Sequence, residues 1–292
     1  MGRKGVELKR IVVLTDMNPE GSGYLNIATA IFSKLAKDYD IRIVGLGYAG
    51  QEHSYPFSVI PCKDTNDAHV IIHNLNTILA TAPDVIVVAL DIPLQIFFRE
   101  KFEQYKKPFI AITPLENPPL TQTWTAQMFS MTWVFFISEL GKQTALAAGL
   151  RNVDHLEVGI DSDFWRVPTP AEKQGIRKGM NIADDEYVIL TVADNQERKN
   201  LWAAMSAICL LTHDITYAEF MDVCKGKRLI SEFKKNNRKI KYILVTRVDT
   251  PFGIKIRDMA LKFNINQEVT TMNRGMPSEN LWSLYAMSNC FL

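Results

Sequence analysis

The chain has 292 residues, 47% of them hydrophobic and 22% charged, with a formal net charge of +1. That length exceeds one average domain and fits two of middling size, and so balanced a charge points away from nucleic acid or an acidic membrane surface as the main partner. MGRKGVELKR leads toward a strand rather than a long apolar run, so no signal peptide is expected, and no stretch reaches the about 18 apolar residues that a membrane helix needs.

Arg10 to Asp16 reads as a buried strand, Met17 to Gly23 as a turn containing Pro19, Gly21 and Gly23, and Tyr24 to Lys37 as an amphipathic helix. Ile41 to Gly47 is the next strand, so the chain opens as the start of a parallel sheet with right-handed crossovers. A short strand over Val59 to Pro61 and a helix over Asp67 to Ala80 follow. Pro83 to Leu90, Lys107 to Thr113 and Thr132 to Ile137 are further strands, and the prolines of Pro114 to Pro119 rule out regular structure there. Ser138 is placed to cap a helix that Gly149 stops, and Val153 to Val158 is the last strand of this half.

Gly159 to Ala171 breaks the rhythm with prolines and the aromatic pair Phe164-Trp165, and the domain boundary is placed there. A second α/β series follows. Tyr187 to Val192 is a strand buried on both faces, and Leu201 to Leu211 an almost continuously apolar helix. A helical insertion over Tyr217 to Asn236 is rich in Lys and Arg, the composition of a solvated face. Then come a strand over Lys241 to Thr246, a helix from Gly253 to Phe263, a short strand near Val269 and a helix over Ser278 to Met287. Asn289 to Leu292 reads as the beginning of another buried strand, from which a truncated second domain is expected. The expected fold class is α/β, two Rossmann-like doubly wound domains facing a cleft, the second incomplete. The cysteines Cys62, Cys209, Cys224 and Cys290 are far apart and none sits in a C-x-x-C, which suits reduced, mostly buried thiols in the cytosol.

Several stretches can carry chemistry. Between the strand ending at Val192 and the helix from Leu201 lies the polar turn Asp194 to Asn200; a strand running into a helix aims free N–H groups, and here Arg198 and Lys199, at one point suited to phosphate. The alternative is a solvated helix start. Gly21-Ser22-Gly23 sits where a Rossmann protein binds pyrophosphate, but the third glycine of G-x-G-x-x-G is replaced by Asn26. The turn either serves the fold alone or lets a substrate phosphate or sugar approach, in which case Gly23 tolerates no side chain. Glu116, in the proline-braced loop after a strand, faces the binding edge of an α/β sheet or is a solvated carboxylate. His69 and His73 lack the glutamate of a zinc-protease helix, and Asp161-Ser162-Asp163 spells a D-x-D in the interdomain turn; no metal site is expected from either.

With these residues in hand the chain resembles the GT-B-fold retaining glycosyltransferases of family 4. The segments that carry the resemblance are GSG before a long helix, PDVIVVAL, FFISELGKQTALAAGL, VGIDSDFWRVP, ILTVADNQERKNL and ENLWSLYAMSNCFL. It implies an acceptor-side domain over residues 1–160 and a nucleotide-sugar-binding domain over 161–292. It implies that Arg198 and Lys199 bind the donor phosphates with Gly21 and Gly23 close by, that Glu116 is the catalytic carboxylate near the acceptor, and that Asp194 and Asn195 neighbour the donor. The family's donor-site arginine aligns with Asp194 or Asn195, so Arg198 replaces it or the site is weakened, and the family's two-glutamate donor element falls beyond Leu292. The fragment alone is therefore expected to be inactive. The donor is a nucleoside-diphosphate sugar and the acceptor a carbohydrate, lipid or protein, with no cofactor, metal, nucleic acid or transmembrane segment and a cytoplasmic setting, free or peripheral to a membrane. A non-catalytic sugar-nucleotide-binding protein and a same-fold epimerase are the alternatives.

Overall fold

A computed structural model describes residues 8–62, 76, 80, 82–248, 250–251 and 253–292. The expected helix over Asp67 to Ala80, with His69 and His73, lies almost wholly outside the described residues. The chain divides into two compact units, Met1–Ile160 and Asp161–Leu292.

Among the described residues the first unit holds a seven-stranded parallel sheet. Its strands are β1 (Arg10–Asp16), β2 (Asp40–Leu46), β3 (Ser58–Cys62), β4 (Val85–Ala89), β5 (Phe109–Thr113), β6 (Trp133–Phe136) and β7 (Val153–His155), in the order β3-β2-β1-β4-β5-β6-β7. The direction of winding reverses beside β1, so the switch point lies between β1 and β4, where open α/β sheets bind ligands. Both faces are covered, as a parallel sheet requires. Val12 and Leu14 enter one core with Val88 and Phe136, while Ile11 and Val13 enter another with Phe32 and Ile43. Each such side chain, buried, contributes about 1.5–3 kcal/mol.

The helices of this unit include α1 (Gly23–Leu35), α2 (Ile92–Phe102) and α3 (Gln122–Met128). The last two are absent from the reading of the sequence. Pro93 in α2 is harmless because it sits in the first turn, where its missing N–H has no intrahelical partner. Ser138 caps α4 (Glu139–Ala147), accepting from the Gly141 N–H at 3.1 Å, and Gly149 follows at φ 97°, as its place past a helix end requires. The strand expected to reach Val158 ends at His155.

The second unit opens with α5 (Pro170–Gly179), which the prolines around it hid; Thr169 and Glu172 form a complete capping box. Its sheet holds β8 (Tyr187–Val192), β9 (Ile240–Val245), β10 (Val269–Met272) and β11 (Cys290–Phe291), all parallel, in the order β10-β9-β8-β11. Asn289 to Leu292 therefore does enter a strand, the fourth member of the described sheet. Helices α6 (Leu201–Thr212), α7 (Tyr217–Cys224), α8 (Ile256–Lys262) and α9 (Ser278–Met287) complete the unit. In the basic insertion Arg228 pairs with Glu219 and Glu232, and Lys227 with Asp222, at a solvated surface. Of the cysteines, Cys62 and Cys209 are buried and Cys290 is exposed.

Candidate functional site

Each sheet presents polar side chains at its C-terminal edge. In the first unit the loop after β1 is stapled by its own side chains: the Asn18 N–H donates to Asp16 Oδ1 at 2.8 Å and the Glu20 N–H to Asn18 Oδ1 at 2.9 Å. Gly21 then takes φ 102°, and Ser22 caps α1 by accepting the Tyr24 N–H at 3.2 Å. That fixes Tyr24 in the first turn of α1, from which its hydroxyl donates to Asp91 Oδ1. Asp91 occupies the N-cap of α2 yet makes no cap hydrogen bond. An aspartate there ordinarily contributes about 1 kcal/mol by capping; here it is turned to Tyr24 instead, across the β1–β4 switch point.

Burial raises the Tyr24 hydroxyl's pKa, the Asp91 hydrogen bond adds to it, and the charges of Asp91, Glu116 and Asp16 push the same way, so the phenol keeps its proton. Two cavities share Asp91. One, of about 600 Å³, is lined by Asp16, Asn18, Glu20, Tyr24 and Asp91 among others. The second, of about 340 Å³, takes in Glu116, Asn117, Thr121 and Trp124. Among the described residues no lysine or arginine lines either one. Such a surface suits hydroxyl or amine groups rather than a bare anion.

The second unit's edge is cationic. Asp194, two residues past β8, accepts from Arg247 Nε on Oδ1 at 2.8 Å and from Arg247 Nη2 on Oδ2, while Arg274 Nη1 stands 3.3 Å from Oδ1. Arg247 follows β9 and Arg274 follows β10, so three adjacent strand ends meet here. The Arg247 hydrogen bond holds the Asp194 carboxyl below the usual carboxylate range against the opposing effect of burial. Next to it Asn195, 1% exposed, clasps the loop before α8: Nδ2 donates to Ile254 O at 2.9 Å and Oδ1 accepts from Ile254 N at 3.0 Å. The clasp needs a glycine at 253, where a Cβ would stand 2.3 Å from Asn195 Cγ.

Of the residues singled out in the sequence, Arg198 and Lys199 are exposed and sit in a separate 3-10 turn, Glu197–Lys199, not in the helix itself. Asn200 intervenes at φ 49° and caps α6 through Ala203 N at 3.4 Å, because a left-handed residue must separate the two helical segments. Arg198 Nε donates to Gln196 Oε1 at 3.2 Å. Gly23 begins α1 with nothing within 4 Å of an added Cβ and lies outside the left-handed region, which Gly21 occupies. Glu116 joins the Tyr24–Asp91 group; Gly21 and Gly23 belong to the same unit, whereas Asp194, Asn195, Arg198 and Lys199 belong to the other. In the D-x-D, Asp161 Oδ1 accepts from the N–H groups of Asp163 and Phe164 at 3.1 and 3.3 Å, stapling its own turn. Tyr24, Asp91, Arg247 and Arg274 escaped the reading of the sequence. The Asp-x-Pro start of α2 and an arginine just past each of two strands were the available signals.

No protein-family model and no curated protein sequence matches the chain. Solved structures do. Anabaena HepE in complex with UDP and glucose aligns over 97% of this chain and 73% of its own, with a TM-score of 0.66 at 12% identity. WaaG, a glycosyltransferase involved in lipopolysaccharide biosynthesis, aligns over 97% and 74%, with a TM-score of 0.62 at 12% identity. The UDP-GlcNAc 2-epimerase from Neisseria meningitidis bound to UDP-GlcNAc aligns over 97% and 76%, with a TM-score of 0.56 at 14% identity. The fold is that of the GT-B proteins, two parallel α/β units in one chain.

Proposed function

We propose that this chain is a glycosyltransferase that moves a sugar from a nucleoside-diphosphate sugar to an acceptor, with retention at the anomeric carbon, as in family 4. The observation that carries the reading is the alignment of nearly the whole chain with HepE, a protein solved with UDP and glucose. In this reading Met1–Ile160 receives the acceptor and Asp161–Leu292 the donor. Arg198 and Lys199 neutralise the diphosphate, each charge-assisted contact being worth about 1.5–3 kcal/mol. The turn that holds Gly21 and Gly23 lets a phosphate or sugar oxygen approach the start of α1, the Gly21 N–H itself being donated to Asn18 O, and Glu116 is the carboxylate that faces the acceptor hydroxyl. The leaving phosphate is stabilised by fixed cations rather than by a metal. The setting proposed is the cytoplasm.

A second reading has its own observation: an aspartate, already paired with arginines, stands where the resemblance calls for a donor-site arginine. On that reading the chain binds sugar nucleotides without transferring them. The alignment with the epimerase keeps a third chemistry on the same fold in view. The separating experiment is titration calorimetry with UDP-, ADP- and GDP-sugars, followed by assay of nucleoside diphosphate release and NMR of any product's anomeric proton. Binding with release and retained configuration supports the proposal; binding without release supports the second reading; no binding defeats both.

A further inference from the structure

The smaller cavity of the first unit has walls of three kinds. It holds about 340 Å³, the size of a small-molecule site. Pro114 and Pro119, in the loop between β5 and α3, stiffen one side. Trp124 forms an aromatic side: its backbone N–H donates to Thr121 Oγ1 at 3.2 Å, and its half-buried ring packs against the core of this unit. The ring is thus held in place while it lines the cavity. Asp91, Glu116 and Asn117 form the polar side. Their capacity is open to a ligand. Among the described residues the side chains of Glu116 and Asn117 make no hydrogen bond, and Trp124 Nε1 donates to none. The Tyr24 hydroxyl holds Asp91 Oδ1 and draws it off the N-terminus of α2, which leaves Oδ2 without a donor among the same residues.

Exposed carboxylates alone would only be solvated; the fixed aromatic ring among them is what selects a ligand. A sugar ring offers two surfaces: C–H bonds cover its faces and hydroxyls project from its edge. The faces lie against an aromatic ring, and the hydroxyls donate to carboxylates and exchange both kinds of hydrogen bond with an amide. An acyl chain would bury these polar groups without partners, and a phosphate would meet the carboxylates of Asp91 and Glu116. We propose that this cavity is a subsite for one neutral sugar ring of the acceptor, with Trp124 against the ring's C–H face and Asp91 Oδ2 and Asn117 reading its hydroxyls beside Glu116. Tyr24 is then a positioning residue, since it keeps Asp91 from capping α2. The inference rests on the assignment of this unit to the acceptor, and it narrows that acceptor to a neutral carbohydrate.

The test measures binding to the full chain of the methyl glycosides of glucose, galactose, mannose and N-acetylglucosamine by ligand-observed NMR. The 6-phosphates of the same sugars, octanol and a Gly-Ser peptide serve as comparisons. At least one glycoside is expected to bind, with saturation transferred most strongly to its ring C–H protons, and its 6-phosphate to bind more weakly. The best binder is then measured against Trp124→Leu, Trp124→Phe, Asn117→Ala and Asp91→Ala, each checked for folding by circular dichroism and thermal melting. Trp124→Leu is expected to weaken it about fivefold or more, and Trp124→Phe, which keeps an aromatic face, to hold it within about twofold. Asn117→Ala and Asp91→Ala should each weaken it about threefold or more, through loss of one hydrogen bond. If Trp124→Leu does not fold, the last two decide the matter, since both positions are exposed. No glycoside bound, equal loss in the two Trp124 variants, affinity untouched by Asn117→Ala and Asp91→Ala, tighter binding of the 6-phosphates, or octanol or the peptide bound in place of the sugars overturns the proposal. The expected pattern with no nucleoside diphosphate released from any UDP-sugar leaves the subsite standing and defeats the transferase reading. Release driven by an alcohol or peptide acceptor, with no glycoside bound, does the reverse.

Discussion

Asp16 ends the first strand of one unit and Asp194 stands two residues past the first strand of the other, yet the two keep different company. Asp16 accepts a backbone N–H from its own turn and lies beside a cavity lined by further carboxylates. Asp194 draws in an arginine from each of the two strands on one side of β8. Both edges come from the same construction, parallel strands that deliver their following loops to one side. What differs is the residue or two beyond each strand, and those residues set the sign of the field. The fold brings loops together; its loops decide what ligand they meet.

The two edges are also braced differently, and the largest predicted effect comes from that. The first is stapled by side chains within one turn, the second by Asn195 reaching across to Ile254. Gly253→Val would drive a side chain into Asn195, whose Cγ lies 2.3 Å from the new Cβ. Overpacking together with a buried amide left without partners is expected to cost about 3 kcal/mol. Urea unfolding should show the loss in the transition of the second unit only. An unaltered midpoint would rule out the clasp as the brace of that edge.

The next effect tests whether the cationic edge is the ligand-binding one. Lys199 is exposed, so Lys199→Ala should leave the melting temperature within about 3 °C. It should weaken UDP-sugar binding about tenfold, or about 1.4 kcal/mol. The matching change on the acidic edge, Glu116→Gln, should leave donor binding alone and slow transfer. If Lys199→Ala binds normally while Glu116→Gln loses the donor, the assignment of the two edges is reversed.

Acid should separate the units as well. Burial pulls the His213 pKa below its ordinary 6.5, with Lys235 adding to the fall, while a hydrogen bond to Cys209 O and the charges of Glu268 and Asp214 oppose it. The folded state therefore takes up this proton less readily than the unfolded one. The second unit's stability is intact above pH 6.5, declines as pH falls below that value, and levels off once the folded imidazole is protonated. Asp40 in the first unit, hydrogen-bonded by Arg10, and Asp194 in the second, by Arg247, both have pKa values below 3.8. Each contributes stability that is present above that pH and lost as the folded carboxyl protonates, so this lower step is common to both units. Denaturant titrations at pH 8, 5 and 3 (about neutral, below the histidine range and below the carboxylate range) check the order. His213→Gln should abolish the upper step alone.

How much of this was legible beforehand depends on how local the cause is. Arg10–Asp16 and Tyr187–Val192 announce themselves as buried parallel strands because both faces demand apolar side chains. Ser138 and Gly149 mark helix limits because a cap and a left-handed residue each need particular chemistry. The helix over Ile92–Phe102 did not declare itself: it buries Ile92, Gln95, Phe98 and Phe102 but lacks a polar face clean enough to show a period. Thr169–Glu172 was a readable capping box whose flanking prolines suggested a linker instead. The site residues were visible singly, as Glu116 and Asp194 were. Their partners were not, because Tyr24 meets Asp91 across 67 positions and Arg247 meets Asp194 across 53. Which loops meet is decided by strand order, and no spacing along the chain encodes that.

The smallest effect concerns the glycine turn, and it distinguishes a structural glycine from one kept open for a ligand. Gly21 sits at φ 102°, where an L side chain is strained, so Gly21→Ala should cost about 1 kcal/mol whatever the turn does. Gly23 is the first residue of α1, outside the left-handed region, with open space around an added Cβ. Gly23→Ala should then stabilise the first unit by about 0.5 kcal/mol, through better helix propensity and a less flexible unfolded chain. The two alanines thus shift the urea midpoint in opposite directions. Ligand binding supplies the second axis. If the turn serves only the fold, Gly23→Ala binds UDP-sugars as the parent does. If the donor rests against that backbone, the better-folded variant is the weaker binder, because the methyl group fills the space the ligand needs. A change that raises stability and lowers affinity together has no explanation in folding alone, and it would place part of the donor on the acidic unit despite its charge.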